Sequence, residues 1–207
     1  MLRENVIEQI IALEWQMFDQ VPNQGGRASC QDDYTTFQLM RQNQYAFWTE
    51  DMLASYAQDL QKAHADGRNL LTEKYARMMA STHPDEYATF QAILPPISAE
   101  AALLIEKITA AHVSWKKTVN ARYPHLADNG RPLSTAEDSV YQTSFETYLR
   151  GELSTYSLQT LQLYAAFIDD CYNSGRNLAL ENLQDLVTRY GFASLEEAEQ
   201  KQALSVS

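Results

Sequence analysis

The 207-residue chain has few of the residues that interrupt or cross-link a fold, with 7 glycines, 6 prolines and 2 cysteines. Cys30 and Cys171 lie far apart and match no metal-binding spacing, so neither a disulfide framework nor a cysteine metal site is predicted. The sequence has no apolar run of about 18 residues, the length that would cross a membrane. Residues 1–11 include Arg3, Glu4 and Glu8 instead of the apolar segment of a signal peptide. These absences favour a cytoplasmic location.

An excess of positive charge is also missing. The chain carries 27 Asp and Glu residues against 16 Lys and Arg residues, which gives a formal net charge of −11. Binding to nucleic acid or to an anionic membrane needs a basic face, so neither partner is expected. What the chain does contain is 45% hydrophobic residues, including 11% aromatics, which is enough for a packed core and argues against disorder.

Apolar residues recur at helical spacing along the whole chain, and no two segments alternate as paired strands would. The pattern therefore predicts an all-α fold. A long helix is expected to open at Ser29, with Asp32 completing a capping box, and Gly151 is expected to interrupt a later helix. Pro95-Pro96 makes the clearest break. The expected helices span residues 5–18, 29–65, 70–80, 98–120, 157–172 and 176–190, with others after Pro84, Ser134 and Ser194.

The two halves of the chain match each other in sequence. Gly67-Arg-Asn-Leu70 recurs as Gly175-Arg-Asn-Leu178, 108 residues later, and Ile7-Glu-Gln-Ile10 resembles Ile105-Glu-Lys-Ile108, 98 residues later. Matches in the same order predict a duplicated unit, and a pocket between the units would be a natural ligand site. The predicted fold is an all-α helical bundle of two diverged internal repeats with a pseudo-two-fold relation, residues 1–96 and 97–207, packed as one globular domain.

The first repeat carries polar residues on an apolar stripe. In the helix expected after Ser29, one face holds Asp33, Phe37, Arg41, Gln44 and Trp48. The aromatic side chains indicate that this face points inward, where a charge needs a partner. The second repeat has Tyr141 and Leu149 in place of Asp33 and Arg41. This asymmetry favours a ligand-facing pair, and the alternative is an internal salt bridge that fixes the helix register.

A loop with two glycines precedes this helix and includes Asn23, Gly25, Gly26 and Arg27. Its amides, the positive end of the helix dipole and the Arg27 guanidinium would suit an anion. The alternative is an ordinary turn between helices. Cys30 stands where a helix dipole lowers a thiol pKa, which would suit a nucleophile, and the alternative is a small buried residue.

Acidic residues in both repeats are candidates for proton transfer. Glu14 lies on the apolar stripe of the first helix, where it would act as a general base with a raised pKa or pair with Arg27 or Arg41. In the second repeat, the spacing of Glu146 and Arg150 indicates a surface salt bridge, and the alternative is that the polar residues there line the opposite wall of the site. Those residues are Glu137, Asp138, Glu146, Arg150 and Glu152. The histidines form none of the Glu-x-x-His pairs of di-iron bundles, so no metal site is predicted.

Several of these segments together resemble a known family. Residues 23–33, Thr36-Phe37, Met40-Arg41, Gln44 and Trp48 resemble the signature of bacterial proteins catalogued as domain of unknown function 4125. Residues 136–139, 143–153 and 190–197 resemble the later part of that family, so the resemblance covers nearly the whole chain. It implies that these segments belong to one unit, and it implies no activity or cofactor.

The residues favour a small-molecule enzyme of the lyase or hydrolase type that acts on a polar or anionic metabolite, with its cofactor requirement left open. The alternatives are a non-catalytic helical module that binds a metabolite or a protein, and a homodimeric scaffold with a structural polar core. The candidate catalytic residues are Glu14, Cys30, Asp32 and Asp33. The candidate substrate-binding residues are Trp15, Asn23, Gly25, Gly26, Arg27, Arg41, Gln44 and Trp48.

Overall fold

The protein is all-helical in its computed structural model, which describes residues 2–23, 26–128 and 130–205. Within these ranges there are eleven α-helices, and no β-strand is formed. The predicted all-α class is confirmed. The helices are α1 (Leu2–Asp19), α2 (Tyr34–Tyr45), α3 (Glu50–Ala65), α4 (Leu70–Thr82), α5 (Pro84–Phe90), α6 (Ala99–Arg122), α7 (Pro124–Ala127), α8 (Phe145–Leu153), α9 (Leu158–Asn173), α10 (Leu178–Arg189) and α11 (Leu195–Ser205).

The ends of most helices are set by local side-chain and glycine signals. Asn69 accepts a hydrogen bond from the Thr72 amide at the start of α4, and Ser157 accepts one from the Thr160 amide at the start of α9. After α3 the chain adopts a φ of +68° at Gly67, which a residue with a Cβ rarely adopts. These starts and stops agree with the sequence pattern.

The prediction of one long helix over residues 29–65 is wrong, because the segment forms a 3-10 turn and two separate α-helices. Ser29–Asp32 forms a short 3-10 turn, and the Asp33 side chain caps α2 by accepting from the Thr36 amide. The chain leaves the helix again after Tyr45, and Thr49 caps α3. Each cap gives the backbone a local hydrogen bond that competes with helix continuation. Trp48 therefore lies in the turn between two helices.

Two predictions about the helix after Ser134 are also wrong. The Ser134 capping box exists, but it opens only a 3-10 turn, Thr135–Glu137, and α8 begins later at Phe145. Gly151 does not interrupt α8. A Cβ at Gly151 would lie 2.8 Å from Met78 Cγ and 3.1 Å from the Lys74 carbonyl oxygen. Glycine here lets α8 pack closely against α4, which outweighs its low helix propensity.

One hydrophobic core joins the two halves of the chain. Its buried members run from Ile10 in α1 to Leu178 in α10, and the core packs α3 against α9 and α4 against α8. Helix α2, from the first half, also contacts α10, from the second half. A smaller cluster buries α11 against the ends of α6 and α10. In the ranges that the structure describes, no helix combines the length and apolar character needed to cross a bilayer.

Candidate functional site

A cavity of about 530 Å³ lies among α2, α4, α6, α8, α9 and α10. This volume is in the range of small-molecule sites. Most of the wall is apolar or aromatic, with Phe37, Trp48, Phe145 and Leu178 among its members. Polar side chains on the wall include Asp33, Thr36, Arg41, Asn43, Gln44, His112, Lys116, Tyr148, Glu152 and Asn182. The cavity therefore offers a large apolar surface with a few polar contacts.

A group of four buried charges lies at one side of the cavity; we call Glu14, Arg41, Lys74 and Glu152 the ion cluster. Arg41 Nε lies 3.1 Å from Glu14 Oε2, and Arg41 Nη1 lies 3.4 Å from Glu152 Oε2. Lys74 Nζ donates a hydrogen bond of 2.5 Å to the same oxygen of Glu152. All four residues are buried, which is tolerated because each charge has an opposite partner.

Neutral side chains complete the hydrogen bonds of the ion cluster. Gln44 accepts from Arg41 Nη1 at 2.5 Å and donates to Glu152 Oε1 at 2.5 Å. The Tyr156 hydroxyl donates to the same Glu152 oxygen, and the Tyr56 hydroxyl donates to Glu14 Oε1. The cluster thus connects α1, α2, α3, α4 and α8 through the protein interior.

The two carboxylates of the ion cluster have opposite pKa shifts. Burial would raise the pKa of Glu152, but the charges of Lys74 and Arg41 hold it well below its usual range. Burial raises the pKa of Glu14, and Arg41 offsets this rise only in part. Glu152 is therefore a fixed anion at neutral pH. Glu14 is the acid of the pair that more readily holds a proton.

Tyr148 is the cavity-lining phenol beside this cluster. Lys74 Nζ lies 3.5 Å from the centroid of its ring. Burial would raise the pKa of Tyr148, but the charges of Lys74 and Arg41 outweigh burial and lower it. A phenol with a lowered pKa gives up and takes back a proton closer to neutral pH than an ordinary tyrosine does. Tyr148 is half-buried and belongs to the cavity wall.

Helix α6 contributes two further titratable groups to the cavity. His112 Nε2 forms a hydrogen bond of 2.9 Å with the Tyr164 hydroxyl, and burial lowers the pKa of His112 to about 4. Burial also lowers the pKa of Lys116, whose ammonium lies 5.2 Å from the centroid of the Phe145 ring. His112 is therefore neutral at pH 7.

The structure brings together part of the predicted polar stripe. Arg41, Gln44 and Trp48 line the cavity. Arg41 pairs with Glu14, for which the sequence offered Arg27 or Arg41 as the partner. The predicted pair of Asp33 with Arg41 is wrong. Asp33 is exposed at the rim, where the Thr36 side chain and amide lower its pKa. Cys30 also lies at the rim and is exposed, not buried.

The glycine-containing loop uses its own donors internally. Arg27 binds the Asp19 carboxylate at 2.5 Å and the Asp32 carboxylate at 2.7 Å, on an exposed part of the surface. Asn23 donates to Gln31 Oε1 at 2.7 Å, and Gln31 is buried under the loop. These contacts correspond to the interhelical-turn alternative, because the predicted anion-binding donors are engaged by the chain. Gly26 has a φ of +96°, and Gly25 lies outside the described residues.

Other predicted residues lie away from the cavity wall. Glu14 lies behind Arg41, and Trp15 packs edge-on against Tyr34 and Phe37. Among the acids of the second half, Glu152 alone belongs to the described cavity wall. The predicted Glu146–Arg150 salt bridge is confirmed, at 3.1 Å. Glu137 and Asp138 hold the chain before α8: Glu137 accepts from the Ser134 amide and Asp138 from the Ser144 amide.

Several cavity or cluster residues were not predicted, among them Lys74, His112, Lys116 and Tyr148. Lys74 carries the strongest signal, because it lies on the buried stripe of α4 between Leu70 and Met78. A lysine on such a stripe indicates a buried partner. Tyr148 and Lys116 look like ordinary amphipathic residues in sequence, since their neighbours come from other helices. Among the described residues, no three His, Cys, Asp or Glu side chains converge as a metal site would require.

Comparison with known proteins assigns a family and no activity. Neither the curated proteins nor the solved structures include a match to this chain. The family described as protein of unknown function (DUF4125) matches residues 4–200, which is nearly the whole sequence. The chain therefore belongs to the DUF4125 family.

Proposed function

We propose that the protein is a small-molecule enzyme of the lyase or hydrolase type and that its substrate binds in the 530 Å³ cavity. One observation carries the proposal: the Tyr148 phenol, with its pKa lowered beside Lys74, forms part of the wall of a ligand-sized cavity. A lysine beside a phenol stabilises the phenolate and so brings the pKa of the phenol closer to the pH at which it transfers a proton. Such chemistry needs no redox group.

The roles of the neighbouring residues follow from their contacts. Tyr148 takes a proton from the substrate or gives one to it. Arg41 and Gln44 orient the polar end of the substrate, since both line the cavity and hydrogen-bond to each other. The charge of Lys74 lowers the pKa of the phenol, and Glu152 holds the Lys74 ammonium in place. The aromatic wall excludes water, which strengthens every charge interaction inside.

We also infer that the cavity lies between two diverged copies of one unit, residues 1–96 and 97–207. Matching positions make matching contacts. The Tyr56 hydroxyl bonds to Glu14, and the Tyr164 hydroxyl, 108 positions on, bonds to His112, which lies 98 positions after Glu14. The side chains of Asn69 and Asn177 likewise donate to the carbonyls of Met17 and Trp115, which are also 98 positions apart.

At each matched position of the ion cluster, only one of the two copies carries a charge. Gln44 and Glu152 are 108 positions apart and hydrogen-bond to each other, as residues on either side of a two-fold axis would. At the same separation, Arg41 corresponds to Leu149 and Lys74 to Asn182. This asymmetry supports a specialised site, because a purely structural need would apply to both copies.

A non-catalytic binding module is the second candidate, and one observation favours it. Every charge of the ion cluster is already paired inside the protein, so the cluster satisfies itself without a ligand. Such a cluster would hold a binding pocket in shape, and the cavity would then recognise a molecule without changing it.

Tyr148→Phe tests the enzyme proposal, because it removes the hydroxyl and leaves the ion cluster intact. Arg41→Leu would be a poor test, since it leaves Glu14 buried without its cation. Purified protein is incubated with pooled metabolites, grouped by chemical class, and their depletion is followed by mass spectrometry. Tyr148→Phe is expected to lower kcat by about 100-fold or more. Tyr141→Phe is the matched control, because Tyr141 is 96% exposed.

The outcomes separate the two candidates. Depletion that depends on the Tyr148 hydroxyl supports the enzyme. Equal rates for wild type and Tyr148→Phe would contradict the role of the phenol. A compound that raises Tm without being consumed supports the binding module, and a full set of compounds that neither bind nor react overturns both.

A further inference from the structure

Lys116 differs from the other cations in and beside the cavity because, among the described residues, no acidic side chain pairs with it. No carboxylate in the described ranges lies within 4.0 Å of its ammonium, whereas Arg41 and Lys74 both contact Glu152. Its ammonium instead lies over the Phe145 ring on the cavity wall. A half-buried cation without a counter-ion favours an anion in the adjoining space.

Asn182 gives a second, independent indication that the cavity holds a polar ligand. Its side-chain Oδ1 is buried and, within the described part of the chain, accepts no hydrogen bond. Asn182 lies on α10, which packs against the Lys116 helix α6, and both residues line the cavity. A buried acceptor without a donor costs free energy, which a ligand N–H or O–H would recover.

The acids that line the cavity do not pair with Lys116: Asp33 is exposed at the rim, where it accepts from the Thr36 amide, and Glu152 belongs to the ion cluster. The ion cluster contains two carboxylates and two cations, so it is neutral when both acids are ionised. If Glu14 holds a proton, the cluster becomes positive. In either state, Lys116 adds one positive charge that the ion cluster does not neutralise.

We propose that the cavity selects an organic monoanion with an apolar body, whose anionic group binds Lys116 and whose N–H or O–H reaches Asn182. This inference rests on the proposed function only in assuming that the cavity binds a small molecule. The apolar body follows from the wall, where aromatic and aliphatic side chains outnumber polar ones. A ligand without charge would leave the Lys116 ammonium desolvated and unpaired.

A pair of fluorescent probes tests the charge preference directly. 8-Anilinonaphthalene-1-sulfonate and N-phenyl-1-naphthylamine share the same rings and the same N–H, and they differ in the sulfonate. Wild-type protein is expected to bind the anionic probe more tightly. Lys116→Met is expected to weaken binding of the anionic probe about tenfold and to leave binding of the neutral probe unchanged. Lys107→Met is the matched control, because Lys107 lies on the same helix and pairs with Asp169 at the surface.

The outcomes distinguish this inference from the proposed function. If both probes bind equally to wild type and Lys116→Met changes neither, the charge preference is overturned while the cavity remains a ligand site. If neither probe binds, this inference is overturned, while the metabolite assay still decides the proposed function. Lys116→Arg keeps the charge and is expected to keep the preference for the anionic probe. Lys116→Gln gives the same test should the Met variant fail to fold.

Discussion

His112 makes the stability of this protein depend on pH in a way that can be calculated. The imidazole is buried on α6, with the Tyr164 hydroxyl 2.9 Å from Nε2. Burial lowers its pKa from the ordinary 6.5 to about 4. The ring is therefore neutral in the folded protein across a pH range in which the unfolded chain takes up a proton.

The sign of the effect follows from this difference. As the pH falls below 6.5, protons bind His112 in the unfolded chain and not in the folded one, so the free energy of unfolding decreases. The contribution is fully present above pH 6.5 and is lost progressively until the folded pKa of about 4 is reached. At about 1.4 kcal/mol for each pH unit, the loss amounts to about 3 kcal/mol.

Urea unfolding between pH 7 and pH 4 measures this loss when wild type is compared with His112→Gln. The glutamine does not titrate, and its amide can still meet the Tyr164 hydroxyl. The stability difference between the two proteins is expected to move by about 3 kcal/mol in favour of the variant on going to pH 4. His64→Gln is the control, because His64 is exposed on α3. A difference between wild type and His112→Gln that stays constant with pH would refute the reasoning and place the imidazole in contact with water.

Two further stability predictions concern the ion cluster and the repeated glycines, and both use urea unfolding at neutral pH. Glu152→Gln is expected to lower the free energy of unfolding by about 3–5 kcal/mol, because it leaves two buried cations with one carboxylate. Glu73→Gln breaks a partly exposed pair and is expected to lower it by less than about 1 kcal/mol. Glu14→Gln should cost less than Glu152→Gln, since burial already disfavours its ionised form; the reverse order would contradict the assigned pKa directions. Gly67→Ala and Gly175→Ala should each cost about 1–2 kcal/mol, because both glycines have a φ of +68°, and clearly unequal losses would argue against matching turns.

The sequence was sufficient for what local residues determine. Helical spacing predicted the all-α fold and the break between residues 65 and 70, where Gly67 adopts a positive φ. The inward position of Arg41 was also predictable, since aromatic side chains share its helix face. The Asp33 cap was missed because the same acid fits a helix stripe and a helix start equally well.

The partners of the site could not be predicted, because they come from helices remote in the chain. Arg41 meets Glu152 across 111 residues, and Lys74 meets it across 78. Helical spacing indicates that Arg41 points inward, but it does not indicate which carboxylate Arg41 contacts. The internal use of Arg27 was hidden for the same kind of reason, since Asp19 and Asp32 reach it only after the loop folds back.

The ion cluster also couples the two halves of the chain. Glu152 comes from α8, and its cations Arg41 and Lys74 come from α2 and α4 in the first half. A chain with only one half folded would leave these side chains in water, so the ion pairs form only when the two halves meet. A substitution that removes one of these charges therefore weakens the contact between the halves as well as the site.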